Sequence, residues 1–439
     1  MKRMYALLVM TAVLFGCASV ASAEISLKDT VLATLKTYPR IAALESDSKA
    51  AKQDNRSAWG GYLPDVDANG SYGPTKHDSP TTRNEGRENE WRGAFDGGVT
   101  ISQLIYDGRF TQSRVERTEA AYKSSQSQID DAGERFGLDA VIAHLTVLRN
   151  KALVELAEDN AQQYYDILES IQELVDAGGS SVADLTLTQG RLARALATLA
   201  TQRSELEIAM AQYKRLTGME PEELLDVEVS DAAPVDIETA FMRMQSENPR
   251  LDTRKHEIDV AQGLIDERES YYYPRISGEG SYRYTEDMQG VDDYTTDFRF
   301  AVVGSWNLYN GGSDLADTRA AMARKVTAHE DYRDTIDDLY RQVASTWSEQ
   351  QAAYEQVEQY NKAVGFNVET RDVYAQQFTV GQRTLLDVLD AENELFVTRG
   401  RLVTSKVNVL IASYRLLALG GGLVSSFGIE PADYVSMAE

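Results

Sequence analysis

The sequence predicts an α+β membrane protein in which short transmembrane strands are continued by long coiled-coil hairpins, the whole pattern being written twice. Three observations predict it. Segments recur in the same order at a near-constant separation, runs of about 10 residues alternate apolar with polar, and two very long tracts hold almost no helix breaker.

The duplication comes first because it organises the rest. Tyr38-Pro39-Arg40-Ile41 recurs as Asn248-Pro249-Arg250-Leu251, 210 positions later. Without a gap, Tyr62-Leu63-Pro64 falls on Tyr272-Tyr273-Pro274, and Gly70-Ser71-Tyr72 on Gly280-Ser281-Tyr282. Gly218-Met219-Glu220-Pro221 answers Gly428-Ile429-Glu430-Pro431 at the same spacing. Between those ends the offset drifts to 203, pairing Gly178 with Gly381 and Asp184 with Asp387. The first copy has a longer polar loop, Lys76 to Glu90 against Glu286 to Thr296, and loops absorb length changes that elements do not. The chain divides accordingly into 1–23, a first repeat 24–234 and a second repeat 235–439.

Residues 1–23 read as a secretory signal: Lys2 and Arg3, an apolar stretch from Tyr5 to Phe15, then Ala21-Ser22-Ala23 before the cut. Cys17 follows Leu14-Phe15-Gly16, a loose lipoprotein box spoiled by the bulky Phe15, so plain cleavage is the expectation and lipidation the alternative. Plain cleavage leaves no cysteine and hence no disulfide. No later stretch reaches the roughly 18 unbroken apolar residues of a membrane-spanning helix. Lys plus Arg number 44 against 69 Asp plus Glu, a net charge of −25 that repels nucleic acid.

Each repeat then has the same order. A helical stretch (about 27–60, about 235–270) leads to Pro64 or Pro274, where the period changes to two. Val66, Ala68, Gly70 and Tyr72 alternate with Asp65, Asp67, Asn69 and Ser71, and the second copy does the same from Ile276 to Tyr284. After the loop, Phe95, Gly97, Val99 and Ile101 form a second run, matched by Phe298, Phe300, Val302, Gly304, Trp306 and Leu308. Expected strands are about 64–74, 95–106, 274–285 and 297–309. Length, alternation and flanking aromatics (Trp59, Tyr106, Tyr271, Tyr272, Tyr309) are what a transmembrane strand needs; soluble hairpins with one wet face are the plainer alternative.

Helical hairpins follow, about 109–217 and about 313–420, the second ending in a C-terminal equatorial segment. Ala157, Ala161, Tyr164, Leu168, Ile171 and Val175 keep the 4-3 spacing of a coiled-coil seam. The returning helices carry heptads: Leu185, Leu192, Leu199, Leu206, Tyr213, and Val388, Leu395, Leu402, Val409, Leu416. Gly178, Gly179 and Gly381 mark the hairpin turns as left-handed C-caps. Four strands cannot close a membrane barrel, so the chain must associate with itself; two copies would give eight strands and three would give twelve.

These features together resemble the TolC family of outer-membrane channels. The resemblance covers essentially the whole mature chain: the duplicated Pro-Arg opening, the strand exits Gln103-Leu104-Ile105-Tyr106-Asp107-Gly108 and Asn307-Leu308-Tyr309-Asn310-Gly311-Gly312, and Val380-Gly381-Gln382-Arg383-Thr384-Leu385-Leu386-Asp387-Val388-Leu389-Asp390-Ala391. It implies a homotrimer with a 12-stranded β-barrel in outer-membrane lipid and a 12-helix periplasmic α-barrel. The tip would be docked by a periplasmic adaptor and an inner-membrane ABC or RND pump. The implied role is a passive exit duct, neither an enzyme nor a cofactor protein, and no nucleotide-binding Gly-rich loop is present.

Residues at the hairpin tips carry the mechanism that the resemblance implies. Asp387 and Asp390, three apart, share one helix face and match family aspartates lining the periplasmic aperture; threefold symmetry would make them a cation-attracting ring with mutually raised pKa values. A solvated pair is the commoner meaning of that spacing. Arg383 and Asp184 match positions of a polar lock between hairpins, which predicts an Arg383 to Asp184 hydrogen bond. Phe378 and Ala183 depart from the tyrosine and threonine expected there. A periplasmic coiled-coil adaptor is the rival from another class, but it predicts one hairpin rather than two. The histidines His77, His144, His256 and His329 show no metal spacing, so no metal site is expected. The plain signal and short C-terminal tail favour type I protein secretion over multidrug efflux as the duct's service.

Overall fold

The computed structural model describes residues 24–288 and 293–435; the expected signal segment 1–23, with Cys17, lies outside them. Helix α1 (Leu27–Thr37) opens on a capping box in which the Ser26 hydroxyl accepts from the Asp29 amide and the Asp29 carboxylate accepts from the Ser26 amide. It is followed by α2 (Pro39–Gly60) rather than by the single expected stretch. Proline clashes with a helical residue before it, and Tyr38 accordingly sits at φ −74°, ψ 118°. The second copy breaks in the same way between α6 (Ile237–Glu247) and α7 (Pro249–Glu269), with Asn248 at φ −72°, ψ 117°.

Strands β1 (Asp65–Thr75), β2 (Arg92–Tyr106), β3 (Arg275–Glu286) and β4 (Tyr294–Ser305) form one antiparallel sheet in sequence order. A short helix α3 (Pro80–Asn84) interrupts the loop expected to be plain between β1 and β2. The last strand stops at Ser305, short of the expected 309: the Trp306 indole N–H donates to the Tyr272 carbonyl at 3.2 Å, and the Asn307 side chain caps the Tyr309 amide.

The register keeps the two faces in phase across every strand. Val66 pairs with Ile101, Tyr72 with Phe95, Val99 with Tyr282 and Tyr282 with Phe298, so one face is apolar throughout. On the other face Asp96 receives a bidentate pair of hydrogen bonds from Arg283 at 2.7 and 2.8 Å. Two glycines on the apolar face, Gly97 and Gly280, lie against the Phe95 and Phe300 rings, which a Cβ at 2.8 and 3.0 Å would push aside. Within one chain this face is bare, with Phe298, Phe300 and Val302 all more than 70 % exposed, and β1 and β4 are unpaired outer edges. Exposed aromatics (Trp59, Tyr62, Tyr272, Trp306, Tyr309) cluster where strands meet helices.

From the sheet run α4 (Phe110–Asp176) and α8 (Ser313–Thr379), each 67 residues and therefore about 100 Å long. They return as α5 (Val182–Thr217) and α9 (Leu385–Leu419). The expected seam is buried: Ala157 is fully covered, Ala161, Tyr164 and Ile171 nearly so, and Leu192 and Leu199 of α5 close it from the other side, while Leu395 and Val409 of α9 are buried as well. Helix α9 has the length and apolarity of a membrane span, but half of that window is buried, and the helix packs against α4 and α8.

At the equator α1, α2, α4, α9 and the short α10 (Leu423–Ser426) share a core around Val31, Leu35, Ile41, Val141 and Leu423. His144 is a core residue there. Its Nε2 faces the Leu225 carbonyl at 3.0 Å, which can only accept, so Nδ1 accepts from the Thr30 hydroxyl at 2.9 Å; Thr30 in turn accepts from Tyr213. Burial holds the His144 pKa below its usual value and keeps the ring neutral. The buried Glu134 carboxylate accepts from the Leu423 and Val424 amides at 2.9 and 3.2 Å and so fixes α10 to α4. Burial pushes its pKa up to about 7, with Asp130 and Asp131 adding repulsion against the two amides that pull it down.

Candidate functional site: the hairpin tips

Both hairpins turn by the same device. Helix α4 ends at Ala177, Gly178 adopts φ +74°, and the Gly179 amide closes onto the Leu174 carbonyl at 2.7 Å. In the second hairpin Gly381 also takes φ +74°, and the Gln382 amide closes onto the Gln377 carbonyl at 2.8 Å. The returning helices then start on matching capping boxes, Ser181 with Asp184 and Thr384 with Asp387.

That device takes up two of the sequence-selected carboxylates. The Asp387 side chain accepts from the Thr384 hydroxyl at 2.7 Å and from its amide at 3.1 Å. Within the chain these bonds hold its pKa below the usual carboxylate range, outweighing the slight desolvation that raises it, and nearby Arg383 pulls the same way. Asp184 is held down likewise by the Ser181 hydroxyl and amide, with Ser180 adding a third donor.

The expected Arg383 to Asp184 bond is not formed within the chain. Arg383 folds back on its own turn: Nε donates to Gln377 Oε1 at 3.1 Å, the guanidinium lies 4.2 Å from the Tyr374 ring centre, and Asp387 is 3.9 Å away. Asp184 is engaged by its own helix start, so both partners are satisfied locally.

Asp390 is different. Its carboxylate accepts from Arg191 Nη2 at 2.6 Å, joining α9 of the second hairpin to α5 of the first. Beside it the Tyr164 hydroxyl donates to the Leu389 carbonyl at 3.3 Å, a buried bond between α4 and α9. Leu385 and Leu389 seat in the seam with Tyr164 and Leu192. Glu392 receives Arg371 from α8 at 3.4 Å. So at the tip the hydrogen bonds between the two hairpins, among the described residues, are Arg191 to Asp390 and Tyr164 to Leu389; Asp390 and Tyr164 stand out in the sequence, but no local pattern marks these pairings. The capping boxes, by contrast, follow a readable Ser/Thr-x-x-Asp pattern. Among the described residues no cluster of His, Cys, Asp and Glu has metal-binding arrangement.

This architecture is shared with known proteins. The family model for outer membrane efflux proteins matches residues 33–219 and 242–422, one block in each repeat. The outer membrane efflux protein BepC of Brucella suis is 24 % identical over 97 % of this chain and 93 % of its own length. The alkaline protease secretion protein AprF of Pseudomonas aeruginosa is 23 % identical over 92 % and 86 %. The crystal structure of the outer membrane protein VceC of Vibrio cholerae superposes with a TM-score of 0.78 at 16 % identity, covering 90 % of this chain and 96 % of that one. With a matching block in each copy of the duplication, the chain belongs to the outer membrane efflux protein family.

Proposed function

We propose that the chain is the outer-membrane exit duct of a tripartite export machine, a homotrimer that passively conducts substrate delivered by an inner-membrane pump and its periplasmic adaptor. The observation that carries this reading is the sheet, whose in-phase apolar face and two unpaired edges cannot persist in lipid until copies close it into a barrel. Three copies give twelve strands, enough for a lumen. Helix α5 supports the same association, since Val182 at its start is 70 % exposed while its repeat counterpart Leu385 is 4 % exposed, leaving an uncovered apolar residue at the tip.

At the tip, Asp387 and Asp390 supply the acidic aperture, and Arg383 with Asp184, on the turns of the two hairpins, supply the polar lock between hairpins. For cargo, protein secretion of the type I kind is the favoured reading, supported by likeness over nearly the whole chain to AprF, a protease secretion protein. Small-molecule efflux is the second reading, supported by likeness to BepC, an efflux protein, at 24 % identity over 97 % of the chain.

Single-channel recording of the purified protein in planar bilayers tests the duct: it expects small cation-selective steps, blocked by a trivalent cation from the tip side. A protein that stays soluble without detergent and gives no steps would end the proposal in favour of a periplasmic coiled-coil role. Deleting the gene and following both the secreted proteins and the sensitivity to dyes and detergents separates the two cargo readings.

A further inference from the structure

Arg191 is the one cation that hydrogen-bonds an aperture carboxylate across the two hairpins among the described residues. Its side chain is 18 % exposed whereas that of Asp390 is 58 % exposed, so the guanidinium is tucked against the helices while the carboxylate still faces water. Asp387 has no hydrogen-bonded cation from the other hairpin: Arg383, in its own hairpin, donates to Gln377 and makes only a loose ion pair with it at 3.9 Å. The two carboxylates therefore differ in kind: Asp387 keeps its charge within a helix cap, and Asp390 is neutralised from the other hairpin. The Tyr164 to Leu389 bond and the fully buried Leu389 fix the backbone that carries Asp390, so the pair is not a loose surface contact.

We propose that Arg191 sets both the ion selectivity and the resting closure of the aperture, by masking Asp390 for as long as the two hairpins stay together. This rests on the duct reading. With threefold symmetry the closed ring shows three carboxylates not bridged across the hairpins, those of Asp387, and parting the hairpins unmasks three more. Latch and selectivity ring then share one group. Opening raises the affinity of the aperture for cations, and a cation bound to freed Asp390 hinders re-closure.

The test measures conductance, reversal potential in a salt gradient, and block by hexaamminecobalt(III) for wild type, Arg191→Gln, Arg191→Lys, Asp390→Asn and the Arg191→Gln/Asp390→Asn double variant. Selectivity should follow charge. Arg191→Gln tightens block by about tenfold or more, since three further carboxylates attract a trivalent ion at short range. Asp390→Asn weakens block, the double variant returns to wild type because its net charge is the same, and Arg191→Lys stays near wild type. Conductance should follow the latch instead, rising in Arg191→Gln, Asp390→Asn and the double variant alike. Unchanged block in Arg191→Gln, or a double variant that fails to return, overturns the proposal. Channels absent from wild type and variants alike would instead remove the duct on which it depends.

Discussion

The two hairpins are copies in sequence, but they are not copies in environment. Both turn on a glycine at φ +74° and both restart on a Ser/Thr-x-x-Asp box. Beyond the turn they part. Leu389 is completely buried where its counterpart Thr186 is exposed, Asp390 stands where the first copy has Leu187, and at the equatorial end buried Glu134 answers exposed Asp337. The duplicated residues build the turn, and the residues that diverged hold one hairpin to the other.

The largest break in that comparison comes from the seam. Leu389→Ala should destabilise by about 2–5 kcal/mol, as a buried leucine does when it leaves a cavity, while Thr186→Ala should stay within about 0.5 kcal/mol; thermal unfolding of the detergent-solubilised protein reads both. Equal losses would mean that the two hairpins are equivalent after all.

Next is pH. Glu134 has a folded pKa raised to about 7 from 4.5, so its stabilising contribution is full below pH 4.5 and is lost as pH rises through 7, a span of about 3 kcal/mol. Glu134→Gln should flatten that part of the Tm against pH curve. His144 works with the opposite sign. Its pKa is lowered by burial, so stability present above pH 6.5 declines as pH falls below it.

The turns themselves should behave as true copies. Gly178→Ala and Gly381→Ala each force a side chain into the left-handed region and should each cost about 1–2 kcal/mol, with no clash to separate them. The smallest effect is in the caps: Asp184→Ala and Asp387→Ala should speed amide hydrogen exchange equally in the first turns of α5 and α9, whereas only Asp387→Ala should shift the reversal potential.

What the sequence made legible followed from periodicity. Alternation gave the strands and their faces, and the repeat offset paired the two glycine turns and the two caps. Pro39 and Pro249 divide the entry helices because each restricts the residue before it, Tyr38 and Asn248, to extended backbone, a signal carried by a single residue and not by periodicity. The tip was harder. Spacing reports that Asp387 and Asp390 share a helix face, not which donors each carboxylate will choose, and the nearest donors to Asp387 are in its own capping box. Arg191 and Asp390 are 199 residues apart, and a pairing of that kind exists only once the hairpins are folded together.

The open-edged sheet also bears on how the protein is made. A single chain leaving the secretion machinery carries a row of unpaired amides and carbonyls on β1 and β4 and an uncovered apolar face. Such edges template indiscriminate strand addition, and the charges Asp65, Asp67, Asp297 and Arg299 together with Pro74 act as gatekeepers along them. Barrel closure is then an encounter between chains, so its rate should rise steeply with the concentration of newly exported protein. Biogenesis, rather than conduction, is the stage at which this fold is most exposed to error.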